Sequence, residues 1–387
     1  MEARARLTPS IGKVLLITVC WTLILVLSYV NSYLLIGDLV QMGKLSGSLA
    51  FWPDFAGNAI LGVFGGVIGG SLLVFKVNRG YRHRTFTSGI VNSVVLFTLV
   101  FVGVSVTILF TMSFVFYGLQ AGLAAAPASA WGNVLVNVYT PSFLTTTVTF
   151  GLIVASTQFM LQVNDKFGPG VLRQFISGKY YHPRDEERIF MFLDLRSSTE
   201  IAEVLGSQRF FQLLRELFQD ITRPVIDSRG DIYQYVGDEV VITWPVERGF
   251  RDANCIACFF LIERALAERR GEYLERFGVA PHFKAGVHVG TATVGEIGVI
   301  KKDIVYSGDV LNTTSRIQQE CNRLAVDLLV SRDLLDRMPV EPAYETTAIG
   351  EIQLRGKAKA LALSAVLASE RGARPTPQRS RNTSFGT

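Results

Sequence analysis

The chain has 387 residues, 49% of them hydrophobic and only 18% charged, and its mean hydropathy of +0.31 argues against a single water-soluble domain. The formal charge of +5 is unevenly placed: residues 1–165 hold 8 Lys/Arg and 4 Asp/Glu, residues 166–387 hold 30 and 29, and residues 166–370 are net −3, which excludes a nucleic-acid-binding signature. Four cysteines (Cys20, Cys255, Cys258 and Cys321) are too few and too scattered for a disulfide scaffold.

In chain order, four apolar stretches, about 14–36, 55–75, 90–116 and 143–163, are long enough to supply the roughly 20 helical residues that cross a hydrocarbon core. They define a transmembrane domain over residues 1–163. Arg4, Arg6 and Lys13 precede the first stretch, Lys76, Arg79, Arg82 and Arg84 follow the second, and Lys166, Arg173 and Lys179 follow the fourth. The first loop has only Lys44 and the third, 117–142, has no Lys or Arg. That alternation places both termini in the cytoplasm and the protein in the cell inner membrane as a multi-pass chain. No charged side chain lies inside a span, against a transporter or pump. The second stretch carries Gly62, Gly65, Gly66, Gly69 and Gly70, a small-residue face suited either to packing within the chain or to a dimer seam. The third loop, broken by Pro127 and Gly132, is expected to lie in the outer interface.

Residues 164–188 form a transducing linker, with a Gly-Pro-Gly break, a short amphipathic pattern at Val171, Leu172, Phe175 and Ile176, and a turn through Gly178 and Pro183. The apolar run IFMFLDL, 189–195, reads as a central strand buried on both faces, ending at Asp194. Ser197 and Glu200 then have capping-box spacing, which opens a helix. After a helix over 207–228, DIYQYVGDEVVITWP reads as a β-hairpin with Asp238 at its tip. Each aspartate alone has a structural reading, in a cap or a turn; together they are the donor set a pair of Mg²⁺ ions on a triphosphate requires. A helix over 249–277, a strand over 282–290 and a loop-to-helix segment over 305–318 follow, and Asn312 and Arg316, four residues apart, share one helix face.

The segments FLDLRSST, YVGDE, FKAGVHVGTATVGEIG, SGDVLNTTSRIQ and IQLRGKAKA occur in that order. Together they resemble the catalytic domain of the class III nucleotidyl cyclases, the resemblance covering residues 170–367. It implies, over 189–368, a ferredoxin-like (βαββαβ) cyclase domain working as a homodimer with the active site at the seam. With the four-helix transmembrane domain read from hydropathy the chain is expected to be α+β, and the Arg- and Pro-containing residues 369–387 read from composition as a disordered basic tail. By the same resemblance Asp194, Asp238 and the Leu195 carbonyl hold two Mg²⁺ or Mn²⁺ ions per site. Asn312 and Arg316 reach across from the other subunit to orient the ribose and stabilise the transition state, and Arg355 or Lys357 meets the terminal phosphates. The implied reaction makes 3′,5′-cyclic AMP and pyrophosphate from ATP.

Two positions depart from the family pattern. Adenylyl cyclases of this class usually carry Lys four residues before the second metal aspartate and Asp, Thr or Ser seven before the Asn; guanylyl cyclases carry Glu and Cys. Here the places hold Gln234 and Val305. A Gln amide serves either purine, and Val305 has no polarity, although Asp303 could take its place in a shifted register. These substrate-binding positions leave GTP open as the alternative substrate; analogy with bacterial members favours ATP. A membrane receptor with a degenerate, nucleotide-binding cyclase domain is the further alternative, opposed by retention of both aspartates, the Asn and the Arg. Cys255 and Cys258 read as core, His282 and His288 show no metal pattern, and the P-loop signature is absent from the sequence.

Overall fold

The computed structural model describes residues 2–42, 51–77, 86–121, 126–167, 174–175, 177–338, 344–355 and 360–368. It separates into two compact units that divide between Ile176 and Ser177.

The first unit consists of helices α1 (Glu2–Gln41), α2 (Phe51–Ser71, continuing as a π-helix over Leu72–Val77), α3 (Phe86–Ala121), α4 (Ala126–Val138) and α5 (Pro141–Phe167). Three are long and apolar enough to cross a membrane, over Ile11–Asp38, Phe86–Leu119 and Phe143–Asn164; the second expected span is a shorter apolar helix, Gly62–Phe75. Part of the third loop is helical, as α4. The glycine face has an occupant within the chain. A Cβ on Gly62 would stand 2.6 Å from Thr22 Cα and one on Gly66 2.5 Å from Thr18 Cα, so the missing side chains let α2 lie directly on α1. Trp21 donates from Nε1 to Thr157 Oγ1 at 2.9 Å, tying α1 to α5. Gln158 on α5 is fully buried, and among the described residues neither its Nε2 nor its Oε1 has a hydrogen-bond partner.

The second unit is built on one mixed sheet. Its elements are β1 (Arg184–Leu195), α6 (Ser198–Asp227), β2 (Asp231–Val236), β3 (Glu239–Pro245), α7 (Val246–Phe250), α8 (Asn254–Glu268), α9 (Arg270–Phe277), β4 (Phe283–Ile297), β5 (Asp303–Ser307), α10 (Asp309–Leu324), β6 (Leu328–Ser331), α11 (Arg332–Arg337), β7 (Tyr344–Ile352) and β8 (Leu361–Ala368). The strand order β2-β3-β1-β4 is that of a ferredoxin-like βαββαβ unit; β6, β8 and β7 extend it and β5 folds back on β4. The expected helix 249–277 is broken into α7, a short 3-10 turn, α8 and α9.

Strand β1 is buried on both sides, as its apolar run requires. Ile189, Met191, Leu193 and Leu195 face the core shared with Leu213, Leu217 and Ile221 of α6 and Ile256, Phe259 and Ile262 of α8. Phe190 and Phe192 face a smaller core with Val241, Ala292 and Val310. Cys255 and Cys258 sit fully inside the larger core, where burial pushes each thiol up to about 12. Helix α10 lies against β4 at Gly286, where an added Cβ would stand 2.4 Å from the backbone nitrogen of Gln318.

Candidate active site

Asp194 ends the buried run of β1 and has two cross-strand partners. Glu239 of β3 stands opposite it on one side and Lys284 of β4 on the other. Asp238 occupies the two-residue turn before β3, after Gly237, whose φ of +64° suits glycine. The sheet thus brings together two aspartates far apart in sequence. Burial raises the Asp194 carboxyl above its ordinary value; the Lys284 ammonium pulls it down and the Asp238 charge pushes it up again. Glu239 is raised to about 7, by burial first and then by the charges of Asp194 and Asp238.

One buried cation answers this crowd of carboxylates. Lys284 Nζ lies 3.0 Å from Asp194 Oδ2 and 3.1 Å from Asn322 Oδ1. Gln318 Nε2 donates to the same Asp194 oxygen at 3.0 Å. Three acids around one ammonium leave an excess of negative charge, which fits a divalent cation. Among the described residues no group of three or more His, Cys, Asp or Glu side chains is placed to hold a metal. A cation held at Asp194 and Asp238 would need its remaining ligands from backbone carbonyl, water or phosphate oxygens.

Beside the carboxylates lies a cleft of about 470 Å³, lined by Asp194, Leu195, Arg196, the first turn of α6, Lys284 and Asn322. The expected capping box does not form. Ser197 is in the left-handed region at φ 52°, and its hydroxyl caps no N–H. The positive end of α6 therefore opens on the cleft without a side-chain cap, an arrangement suited to phosphate. Arg196 turns aside, donating to Asp327 Oδ1 at 2.8 Å and to the Val326 carbonyl at 2.7 Å.

The other expected residues are spread around the domain. Asn312 is exposed and Arg316 half-buried, on the face of α10 opposite its buried residues Thr313, Thr314, Ile317 and Gln318. Among the described residues no ion pair joins Arg316 to either aspartate. Gln234 is exposed on the edge strand β2, just after an irregularity in its pairing with β3. Val305 pairs with Gly295 and is half-buried. The register shift that would substitute Asp303 for Val305 does not occur: Asp303 stands opposite Ile297 and pairs with Lys301 at 2.6 Å. The sequence neighbours of Gln234 and Val305 touch each other, as Tyr306 N–H donates to Tyr233 Oη at 3.2 Å with the rings edge to face. Arg355 is exposed in the turn after β7. Lys357, the linker positions Val171, Leu172 and Ile176, and the tail lie outside the described residues.

Lys284, Gln318, Asn322 and Glu239 were not among the sequence candidates. The β1–β3 register brings Glu239 opposite Asp194, the β1–β4 register brings Lys284, and the docking of α10 over Gly286 brings Gln318 and Asn322.

Residues 180–364 match the family model described as the adenylate and guanylate cyclase catalytic domain. The chain is 37% identical over 210 residues to Adenylate cyclase 2 of Rhizobium meliloti (strain 1021), covering 54% of this chain and 58% of that protein. It is 25% identical over 197 residues to Adenylate cyclase 1 of the same organism, covering 49% of this chain and 29% of that one. The chain thus spans less than two thirds of either relative. Among solved structures, a bacterial light-regulated adenylyl cyclase aligns at a TM-score of 0.50 with 19% identity, over 59% of this chain and 67% of that chain, a likeness of fold.

Proposed function

Since residues 180–364 belong to the adenylate and guanylate cyclase catalytic-domain family, we propose that this chain is a membrane-anchored nucleotidyl cyclase converting ATP to 3′,5′-cyclic AMP and pyrophosphate in a homodimer. The observation that carries the reading is the approach of Asp194, at the end of β1, to Asp238, in the turn before β3, beside a cleft lined by an uncapped helix end.

Asp194, Asp238 and the Leu195 carbonyl would hold Mg²⁺ or Mn²⁺, two ions per site, which when bound neutralise the triphosphate and lower the pKa of the ribose 3′-hydroxyl. The first turn of α6 receives phosphate oxygens, and Lys284 adds positive charge beside them. Asn312 and Arg316, on the outward face of α10, serve the partner's site: the Asn orients the ribose and the guanidinium meets charge developing on the phosphorus. Arg355 and Lys357 meet the terminal phosphates. The 3′-hydroxyl gives up its proton to water as its oxygen attacks the α-phosphorus in line, the new P–O bond forms as the bond to the bridging oxygen breaks, and pyrophosphate leaves with the electron pair. The protein's contribution is positioning and charge neutralisation.

GTP is the second substrate reading, left open because Gln234 and Val305 match neither the adenine- nor the guanine-selecting pattern. The anchor is proposed to sit in the inner membrane with both termini in the cytoplasm. The test is the purified chain with Mg²⁺ or Mn²⁺ and ATP or GTP, the product separated by chromatography. Cyclic AMP from ATP is the expected result, the ATP-to-GTP rate ratio settles the base, and no cyclic nucleotide from any of the four combinations overturns the reading.

A further inference from the structure

Helix α10 has two working faces. Its outward face carries Asn312 and Arg316; its inward face, pressed on β4 where Gly286 has no side chain, carries Gln318. Gln318 is 3% exposed, and its Nε2 donates to Asp194 Oδ2 at 3.0 Å. Lys284 Nζ reaches the same oxygen at 3.0 Å. Both donors converge on Oδ2, so Oδ1 is the oxygen committed to neither. The amide brings a donor without a charge, so it fixes the carboxylate plane without competing with a cation for negative charge. The helix backbone at Gln318 lies directly against β4, where Gly286 has no side chain, so the amide reaches Asp194 from a closely packed anchor.

We propose that Gln318 is a positioning residue that holds the Asp194 carboxylate in its cation-binding orientation, so that α10 sets the metal site of its own chain while offering Asn312 and Arg316 to the partner. The assignment rests on the cyclase reading for the cation it serves. Groups that orient metal ligands in this way change metal affinity by about 10- to 100-fold when removed.

The experiment measures Mn²⁺ binding by the full-length chain in lipid nanodiscs, from the electron paramagnetic resonance signal of free Mn²⁺, without nucleotide. Gln318→Met, close to the native side chain in volume, should weaken Mn²⁺ about tenfold. Gln318→Asn, which keeps the amide but loses the reach, should do the same, and it carries the test if the Met variant fails to fold. In an Asp194→Asn background Gln318→Met should have no further effect; an equal weakening there would mean a general structural role and overturn the proposal. So would wild-type Mn²⁺ affinity in a folded Gln318 variant, or no Mn²⁺ binding by the wild-type chain. If Mn²⁺ binding follows the expected pattern but no cyclic nucleotide forms, the positioning role stands and the cyclase reading fails.

Discussion

Lys284 Nζ stands 3.0 Å from Asp194 Oδ2, with the lysine side chain 9% and the aspartate 22% exposed. It is the internal counter-ion of the acidic cluster. Replacing it by Met leaves Asp194, Asp238 and Glu239 facing one another without compensation. Removing one partner of a buried pair costs about 3 kcal/mol. Thermal unfolding of Lys284→Met should therefore occur well below that of the wild type in chelator, and added Mn²⁺ should raise it by more than it raises the wild type. An equal Mn²⁺ shift in both proteins would contradict this account of the charge balance.

In the proposed dimer each site would combine Asp194 of one chain with Arg316 of the other. Asp194→Ala or Arg316→Ala homodimers should each lose at least about 10³-fold in rate, since the charge stabilisation at stake is several kcal/mol. Co-expressed, the two variants should form heterodimers with one intact site, recovering a measurable fraction of wild-type cyclic nucleotide production. Absence of recovery from a demonstrated heterodimer would place both residues in one chain's site.

The strands and the two aspartates were legible because each is a local signal: an apolar run ending in Asp194 and a turn pair, Gly237-Asp238, between alternating segments. The inward partners of Asp194 were not. Lys284 looks like one polar residue in a strand, and only the β1–β4 register turns it toward a carboxylate. Gln318 sits six residues beyond Asn312 on the other side of the helix, which spacing alone reads as packing. The capping box failed for a local reason, because Ser197 takes a left-handed conformation that removes its hydroxyl from the helix axis. The glycine face on α2 was readable as a close-packing surface, but which helix fills it was decided by Thr18 and Thr22 of α1.

Gly66 of α2 sets the distance to α1. Its hypothetical Cβ lies 2.5 Å from a backbone atom, Thr18 Cα, so no side-chain rotation relieves the clash. Gly66→Leu should force the helices apart and destabilise the first unit by about 1–3 kcal/mol or more. Gly65, with nothing within 4 Å, is the control: Gly65→Leu should be tolerated. SDS-induced unfolding of the detergent-solubilised chain distinguishes the two, and equal tolerance would remove the seam between α1 and α2.

Gln158 buries a carboxamide with no partner for either polar atom among the described residues. A buried unsatisfied polar group carries a desolvation penalty of about 1–3 kcal/mol that an apolar group of similar shape escapes. Gln158→Leu should therefore leave the first unit as stable or more stable in the same SDS titration. A clear loss of stability would mean that the amide is satisfied by something bound within the bundle.

Glu186 braces the start of β1. Its Oε1 accepts from Tyr180 Oη at 2.9 Å and from Lys179 Nζ at 3.1 Å, and its Oε2 from Arg188 at 3.1 Å. Burial raises the carboxyl, but the Lys179 and Tyr180 hydrogen bonds outweigh it, so the folded pKa lies below the ordinary 4.5. A depressed carboxylate contributes stability that is present above the unfolded pKa and is lost as pH falls through the folded one. Glu186→Gln should therefore be less stable than the wild type at pH 7, and the gap should close as the pH drops below about 4.5, when the wild-type carboxylate also takes up its proton. Denaturant unfolding of the full chain between pH 3 and pH 7 reads this out, and a gap of constant size across that range would show that the hydrogen bonds to Glu186 do not depend on its charge.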